Sequence, residues 1–332
     1  MQPGLFDWQN RFKKLNKTGD PLVKLNKVIQ WESFREGLES VRVREKKNNA
    51  GAKPYDVVLM FKVLILQSLY NLSDEAIEYQ IPDRLSFMRF LGLRLGSRVP
   101  DAKTIWLFRE QLAEELFRQF ETVLEKSGFA ARKGQIIDAS IVQAPKQRNS
   151  REENAQIKQG EIPQDWEEVK RRQKDTDAQG TKRNGKRYYG YKNHVNVDAK
   201  HKLIRTYAVT DASVHESNVF DELLEESNTS ADVYADSAYR SKESIELLQN
   251  RRFRERLQRK GCRNRTLTAR EKQGNKTRAK IRCRIEHVFG VMAMMAGSLV
   301  VRTIGIIRAR AKIGLRNLAY NINRYALLAT IG

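Results

Sequence analysis

Cysteine is scarce. Cys262 and Cys283 are the whole supply, too few for a disulfide framework and without the spacing of a zinc site. The four histidines, His194, His201, His215 and His287, are too scattered to suggest a zinc cluster. The opening residues, 1–8, lack the basic-then-apolar build of a signal peptide. Long hydrophobic runs are missing too. The longest, residues 291–301, is too short to span a bilayer and is followed by Arg302. These absences predict a cytoplasmic chain in reducing surroundings, with no membrane partner. Acids are the last shortage: 40 Asp and Glu stand against 62 Lys and Arg, a net charge of +22. An excess of that size points to a polyanionic partner, because cations that neutralise phosphates are its usual use.

What is present is a chain of 332 residues with 40% hydrophobic content, enough for a core and, by length, for about two domains. The positive charge is uneven. Residues 251–312 hold 19 Lys or Arg and three acids, Glu255, Glu271 and Glu286.

Residues 1–130 read as a helical domain. Trp31, Phe34, Leu38 and Val41 recur at helical steps. Residues 57–70 are strongly apolar, with Val58, Met60, Phe61, Val63, Leu64, Leu66 and Leu69, and predict a buried helix. Ser73 or Asp74 can cap the next helix, and Asp101 or Thr104 one running over 105–126 to Gly128. From Gly134 the period changes. Strands are predicted at 134–140, 188–198, 203–210, 232–236 and 253–257, with helices at 217–226, 241–250, 276–295 and 315–328. The polar stretch 145–187 reads as a mobile insertion or long loop. Strands interleaved with helices make residues 131–332 an α/β or α+β domain with a mixed five-stranded sheet and a helical tail.

Three carboxylates stand out. Asp138 and Asp236 each close a short apolar run, Ile136-Ile137 and Val233-Tyr234, which places them at strand ends. Glu286 lies on a helix within the basic segment, four residues after Arg282 and so on the same face. Taken singly, the aspartates are turn caps and Arg282–Glu286 is an ordinary surface pair. Taken together, carboxylates converging from strands and a helix can hold the divalent metals that phosphodiester chemistry uses. Arg282 would grip a phosphate or orient Glu286, and Arg278, Lys280 and Arg284 are the other candidate DNA contacts. Asp198 reads as a turn residue. Asp211, His194 and His215 have weaker claims, as core or supporting groups.

Several blocks in one order carry a resemblance: Tyr70-Asn71-Leu72-Ser73-Asp74, Val99-Pro100-Asp101-Ala102-Lys103-Thr104-Ile105, Ile137-Asp138-Ala139-Ser140, Gly190-Tyr191-Lys192-Asn193-His194-Val195-Asn196-Val197-Asp198, Ala235-Asp236-Ser237-Ala238-Tyr239 and Arg282-Cys283-Arg284-Ile285-Glu286-His287. From about Val57 onward the chain resembles the DDE transposases of bacterial insertion sequences, in particular the insertion-sequence-five group. The resemblance implies a ribonuclease H-like catalytic domain with Asp138, Asp236 and Glu286 as catalytic and metal-holding triad. It implies two Mg²⁺ ions, with Mn²⁺ able to substitute. It further implies cleavage and strand transfer at terminal inverted repeats, double-stranded DNA as partner, a homodimer in the active complex, and a nucleoid-associated bacterial location. Related families carry Tyr-x2-Arg-x3-Glu-x6-Lys around the glutamate. Here Arg282 and Glu286 match, but Ala279 and Ala293 stand at the Tyr and Lys positions, so contacts of those two side chains do not transfer. Two further readings remain open on the sequence: a non-catalytic DNA-binding regulator derived from such an enzyme, and a plain metal-dependent nuclease.

Overall fold

The computed structural model describes residues 7–41, 53–110, 113–183, 185–263, 265–296 and 300–330. Residues 1–6, within the opening stretch read above for a signal peptide, and part of the 291–301 apolar run lie outside them. No single described helix is long and apolar enough to cross a membrane. The chain forms two compact units, residues 1–120 with 318–332, and residues 121–317.

The first unit is helical: α1 (Asp7–Lys17), α2 (Pro21–Val28), α3 (Arg35–Val41), α4 (Val57–Tyr70), α5 (Asp74–Asp83), α6 (Leu85–Leu91), α7 (Ala102–Arg109) and the start of α8 (Ala113–Lys126). A 3₁₀ turn at Trp31–Phe34 precedes α3. Helix α4 is apolar because it is buried on nearly every side. It starts where Asp56 accepts from the amides of Val58 and Leu59 at 2.9 and 3.0 Å, and stops at Asn71 in the left-handed conformation. Ser73 caps α5 and Asp101 caps α7. The helix expected over 105–126 is thus two helices. Trp31, Phe34 and Phe61 form an aromatic core, with Phe34 and Phe61 centroids 5.1 Å apart. Buried Arg109 grips Asp74 with both terminal nitrogens, at 2.5 and 2.8 Å, and so ties α7 to the first turn of α5.

The second unit is a mixed sheet with helices on its faces. Its elements are β1 (Gln135–Gln143), α9 (Arg151–Lys158), α10 (Glu168–Gln173), β2 (Gln179–Arg183), β3 (Lys186–Asp198), β4 (Ile204–Asp211), α11 (Phe220–Leu223), β5 (Asp232–Tyr234), α12 (Lys242–Asn250), β6 (Arg254–Glu255), α13 (Ala269–Arg282), α14 (Arg284–Ala296) and α15 (Ile306–Leu328), whose last turns enter the first unit. The order across the sheet is β3-β1-β5-β6, with β2 and β4 both paired to the long β3. Pairing is antiparallel among β1 to β4 and parallel for β1–β5 and β5–β6. This is the ribonuclease H-like arrangement, with a sixth strand, β2, beyond the five expected.

Gly190 explains how β3 passes β1. Its φ is +144°, and a Cβ there would stand 2.3 Å from the Val142 carbonyl oxygen and 2.6 Å from the Ala144 nitrogen. Only glycine allows the two backbones to approach so closely. One face of the sheet packs Ile137, Val233, Phe220 and Leu248. On the other face Val142, Tyr191 and Val209 meet Ala309 and Ile313 of α15.

The stretch 145–187 is not the loop expected from its polarity. Ser150 and Glu153 form a capping box that starts α9. Trp166 is buried and donates to Glu153 at 2.6 Å, and Lys170 reaches the same carboxylate at 2.7 Å. One tryptophan and one acid organise the segment, so hydrophobic periodicity had nothing to report.

Candidate active site

Asp138 does not end its strand, as expected, but sits in the middle of β1, a central strand. Side chains alternate along a strand, so Ile137 and Ala139 enter the core on one face while Asp138 and Ser140 turn to the other. Helix α14 lies against β1 and buries Ile285 and Val288.

The sheet register brings the second aspartate alongside. Gln135 pairs with Val233 and Ile136 with Tyr234 in parallel. Carried two residues further, that register sets Asp236 beside Asp138 on the same face. Asp236 is extended, and its Oδ1 accepts from the Ala238 amide at 2.7 Å, which starts a 3₁₀ turn. One aspartate thus belongs to a strand and the other to a turn just beyond one.

Glu286 reaches this face through Arg282. The Arg282 Nη1 donates to Asp138 Oδ2 at 2.8 Å and its Nη2 to Glu286 Oε1 at 3.1 Å. The single helix expected over 276–295 is broken at Cys283, between α13 and α14. Arg282 ends α13 and Glu286 lies in the first turn of α14. Glu286 is 63% exposed, whereas Asp138 is buried. Arg284 donates to the Ala199 carbonyl at 2.6 Å and so pins the break to the sheet. Arg278 turns to Asn275 at 3.4 Å, and Lys280 is exposed.

Burial raises the Asp138 carboxyl to about 6, and the neighbouring Asp236 charge pushes the same way. The Ala139 amide and Arg282 only partly offset this. In the native state the group therefore binds its proton more tightly than in the unfolded chain. Stability falls as pH rises from about 4 to 6, and the full cost is present above 6. Asp138→Asn should melt higher than wild type above pH 6 in a chelating buffer, by at most about 3 kcal/mol for a shift of roughly two units. The gap should close toward pH 4. Wild type melting higher at pH 8 would show that the Arg282 pair outweighs desolvation.

The donor set suits a hard divalent cation. It is all carboxylate oxygen, as Mg²⁺ takes, and a guanidinium already stands as a positive group between Asp138 and Glu286. Among the described residues no three of His, Cys, Asp or Glu gather closely enough to hold a metal as they stand.

Two neighbours escaped the sequence reading. The Ser140 hydroxyl is buried without a hydrogen-bond partner, two residues along β1 on the Asp138 face. Its position in the strand alternation was the available signal. Arg183 of β2 donates to the Ala139 carbonyl at 3.4 Å and its charge acts on Asp138; nothing in the polar insertion marks it. The weaker candidates fall elsewhere. Asp198, expected in the turn, instead ends β3, where it is buried and accepts from the amides of His201 and Leu203 at 2.6 and 3.3 Å. Asp211 accepts from the Ser213 amide at 2.8 Å. His194 bonds Thr210 at 2.9 Å, and burial lowers it to about 4. It pairs across from Ala139 and so faces away from Asp138. His215 bonds the Ser217 hydroxyl at 2.8 Å.

Residues 130–322 match the family model described as the transposase DDE domain, and residues 10–111 match one described as a transposase domain. Among solved structures, the cryo-EM structure of a piggyBac transposase synaptic complex with hairpin DNA aligns with 94% of this chain and 76% of that one. The identity is 10% and the TM-score 0.46.

Proposed function

Since the chain belongs to the transposase DDE domain family, and is a DNA transposase of insertion-sequence type that depends on divalent metal, we propose that Asp138, Asp236 and Glu286 are its catalytic acids. The observation that carries the assignment is Arg282, one guanidinium bonded at once to Asp138 and Glu286, beside an aspartate set by strand register. The three acids would hold two Mg²⁺ ions. Bound there, such ions stabilise the attacking and leaving oxygens of an in-line displacement.

The residues of the chain supply the frame. Strand β1 holds Asp138, and the turn that follows β5 holds Asp236. Exposed Glu286 has room to rotate toward them from the first turn of α14. Arg282 holds Glu286 over the site before DNA arrives, a positioning role. The substrate is the transposon end and then target DNA, whose phosphates the basic segment 251–284 neutralises. Residues 1–130 would read the inverted repeats and 131–332 carry the chemistry. Joining two ends requires two such sites, hence a homodimer. The order of the sequence blocks favours the insertion-sequence-five group.

Arg282→Ala tests the positioning role. Expected are unchanged DNA-end binding and a lower maximal cleavage rate in single-turnover assays, with Arg282→Lys recovering part of the rate. Weaker binding, with cleavage fully recovered at high DNA concentration, would instead make Arg282 a phosphate clamp.

A further inference from the structure

Arg282, which bonds Asp138 and Glu286, ends α13; a concentration of positive charge begins at the other end of the same helix and runs along it to Arg278. There a cleft of about 540 Å³ is lined by Arg259, Arg265, Arg270 and Arg278, with Gly274 and Glu271. A smaller hollow of about 190 Å³ shares Arg259 and Arg265 and adds Lys260. Glu271 is the sole acid of the cleft lining, and it is fully engaged. One oxygen accepts from the Thr268 amide and hydroxyl at 3.0 and 3.1 Å, the other from Arg259 and Arg265 at 3.2 and 3.0 Å. Four guanidinium groups against one carboxylate leave an excess of three positive charges. Arg270 pairs with no acid among the described residues.

The cleft is built rather than fortuitous. Asn275 clamps residue 259 to α13, accepting from its amide at 2.9 Å and donating to its carbonyl at 2.8 Å. Cys262 and Arg265 close a turn through reciprocal backbone bonds of 3.0 and 3.1 Å. At Gly274 an added Cβ would approach the Arg278 guanidinium to 3.0 Å, so the glycine lets that group lie across the helix. The capping box engages the amides of Thr268 and Glu271, and the guanidinium groups supply the positive charge of the cleft. No aromatic side chain lines the cleft to stack a base, so its chemistry fits the sugar–phosphate backbone and not a nucleobase.

We propose that this cleft is a second DNA anchor, holding one phosphate or two of the strand that enters the active site. The proposal rests on the DNA-cleaving reading above and adds a distance to it. Arg270 and Arg282 lie twelve residues apart on one helix, about 18 Å at 1.5 Å per residue. A strand following α13 advances about 3.4 Å per nucleotide, so the anchor grips roughly five nucleotides from the scissile bond.

The test uses the full-length protein and a duplex taken from the DNA flanking its coding region, with one neutral methylphosphonate placed at each position in turn. In wild type, the substitution about five nucleotides from the cleaved bond should weaken binding several-fold. In Arg265→Gln/Arg270→Gln it should add little, and the slope of log K against log salt should fall by about 1.8, at roughly 0.9 per contact. Melting temperature checks the variant's fold, and the DNA concentration giving half-maximal cleavage should rise several-fold. An unchanged slope and interference pattern would overturn the anchor. A variant that binds normally but cleaves slowly would also overturn it, since its arginines would then act at the chemistry. Failure of wild type to bind the duplex at all would instead count against the functional reading beneath it.

Discussion

Asp236→Asn is expected to abolish strand cleavage while leaving DNA-end binding intact or slightly tighter. The substitution removes one of two carboxylates that the β1–β5 register sets side by side, but no cation. Asparagine can still accept from the Ala238 amide, so the turn that Asp236 starts should persist. What is lost is charge stabilisation of several kcal/mol, about a thousandfold or more in rate. Binding should be spared because a negative group facing the phosphates has gone. A variant that still cuts at the wild-type rate in Mg²⁺ would reduce Asp236 to a turn cap.

The largest expected effect on stability lies away from the site. Arg205, 2% exposed, donates to Asp198 at 3.2 Å and to the Phe129 carbonyl at 2.6 Å, and also pairs with Glu121. Asp198 is fully buried, and burial raises Glu121 to about 7 despite the arginine. Arg205→Ala would leave two carboxylates without their buried cation, at a cost of about 3–5 kcal/mol. The deficit should shrink as pH falls, because the unpaired native carboxylates bind protons more tightly than the unfolded chain does. Urea unfolding of both proteins at pH 8 and pH 5.5 measures this. Equal midpoints at pH 8 would mean that water, not Arg205, satisfies these acids.

Much of this was legible in the sequence where burial is continuous. Helix α4 matches its expected limits because a largely apolar run of fourteen residues lies between Asp56 and Asn71. The β3–β4 hairpin showed itself as two apolar segments around a turn. Failures came where polar groups hold the structure. Strand β2 is exposed along much of its length and pairs through its backbone with β3 alone, so no alternation marked it. The break at Cys283 was hidden because both sides are helical, although Thr268-x-x-Glu271 announced an earlier start for α13. Asp138 passed for a strand end because the apolar run stops there. In fact polar Asp138 and Ser140 continue β1 on the face that carries the proposed chemistry. The pairing of Arg282 with Glu286 was legible from their spacing of four, but the contact of Arg282 with Asp138 was not, since it spans 144 residues.

If Asp138, Asp236 and Glu286 form one metal site, as proposed, a radical-generating ion bound there will mark all three. Replacing Mg²⁺ with Fe²⁺, and adding ascorbate and peroxide, generates hydroxyl radicals that cut the backbone nearest the bound ion. Three cuts are expected, near residues 138, 236 and 286, all suppressed by excess Mg²⁺ and all weakened together in Asp236→Asn. Cuts confined to one of these segments, or Mg²⁺-sensitive cuts elsewhere that survive Asp236→Asn, would contradict a shared site.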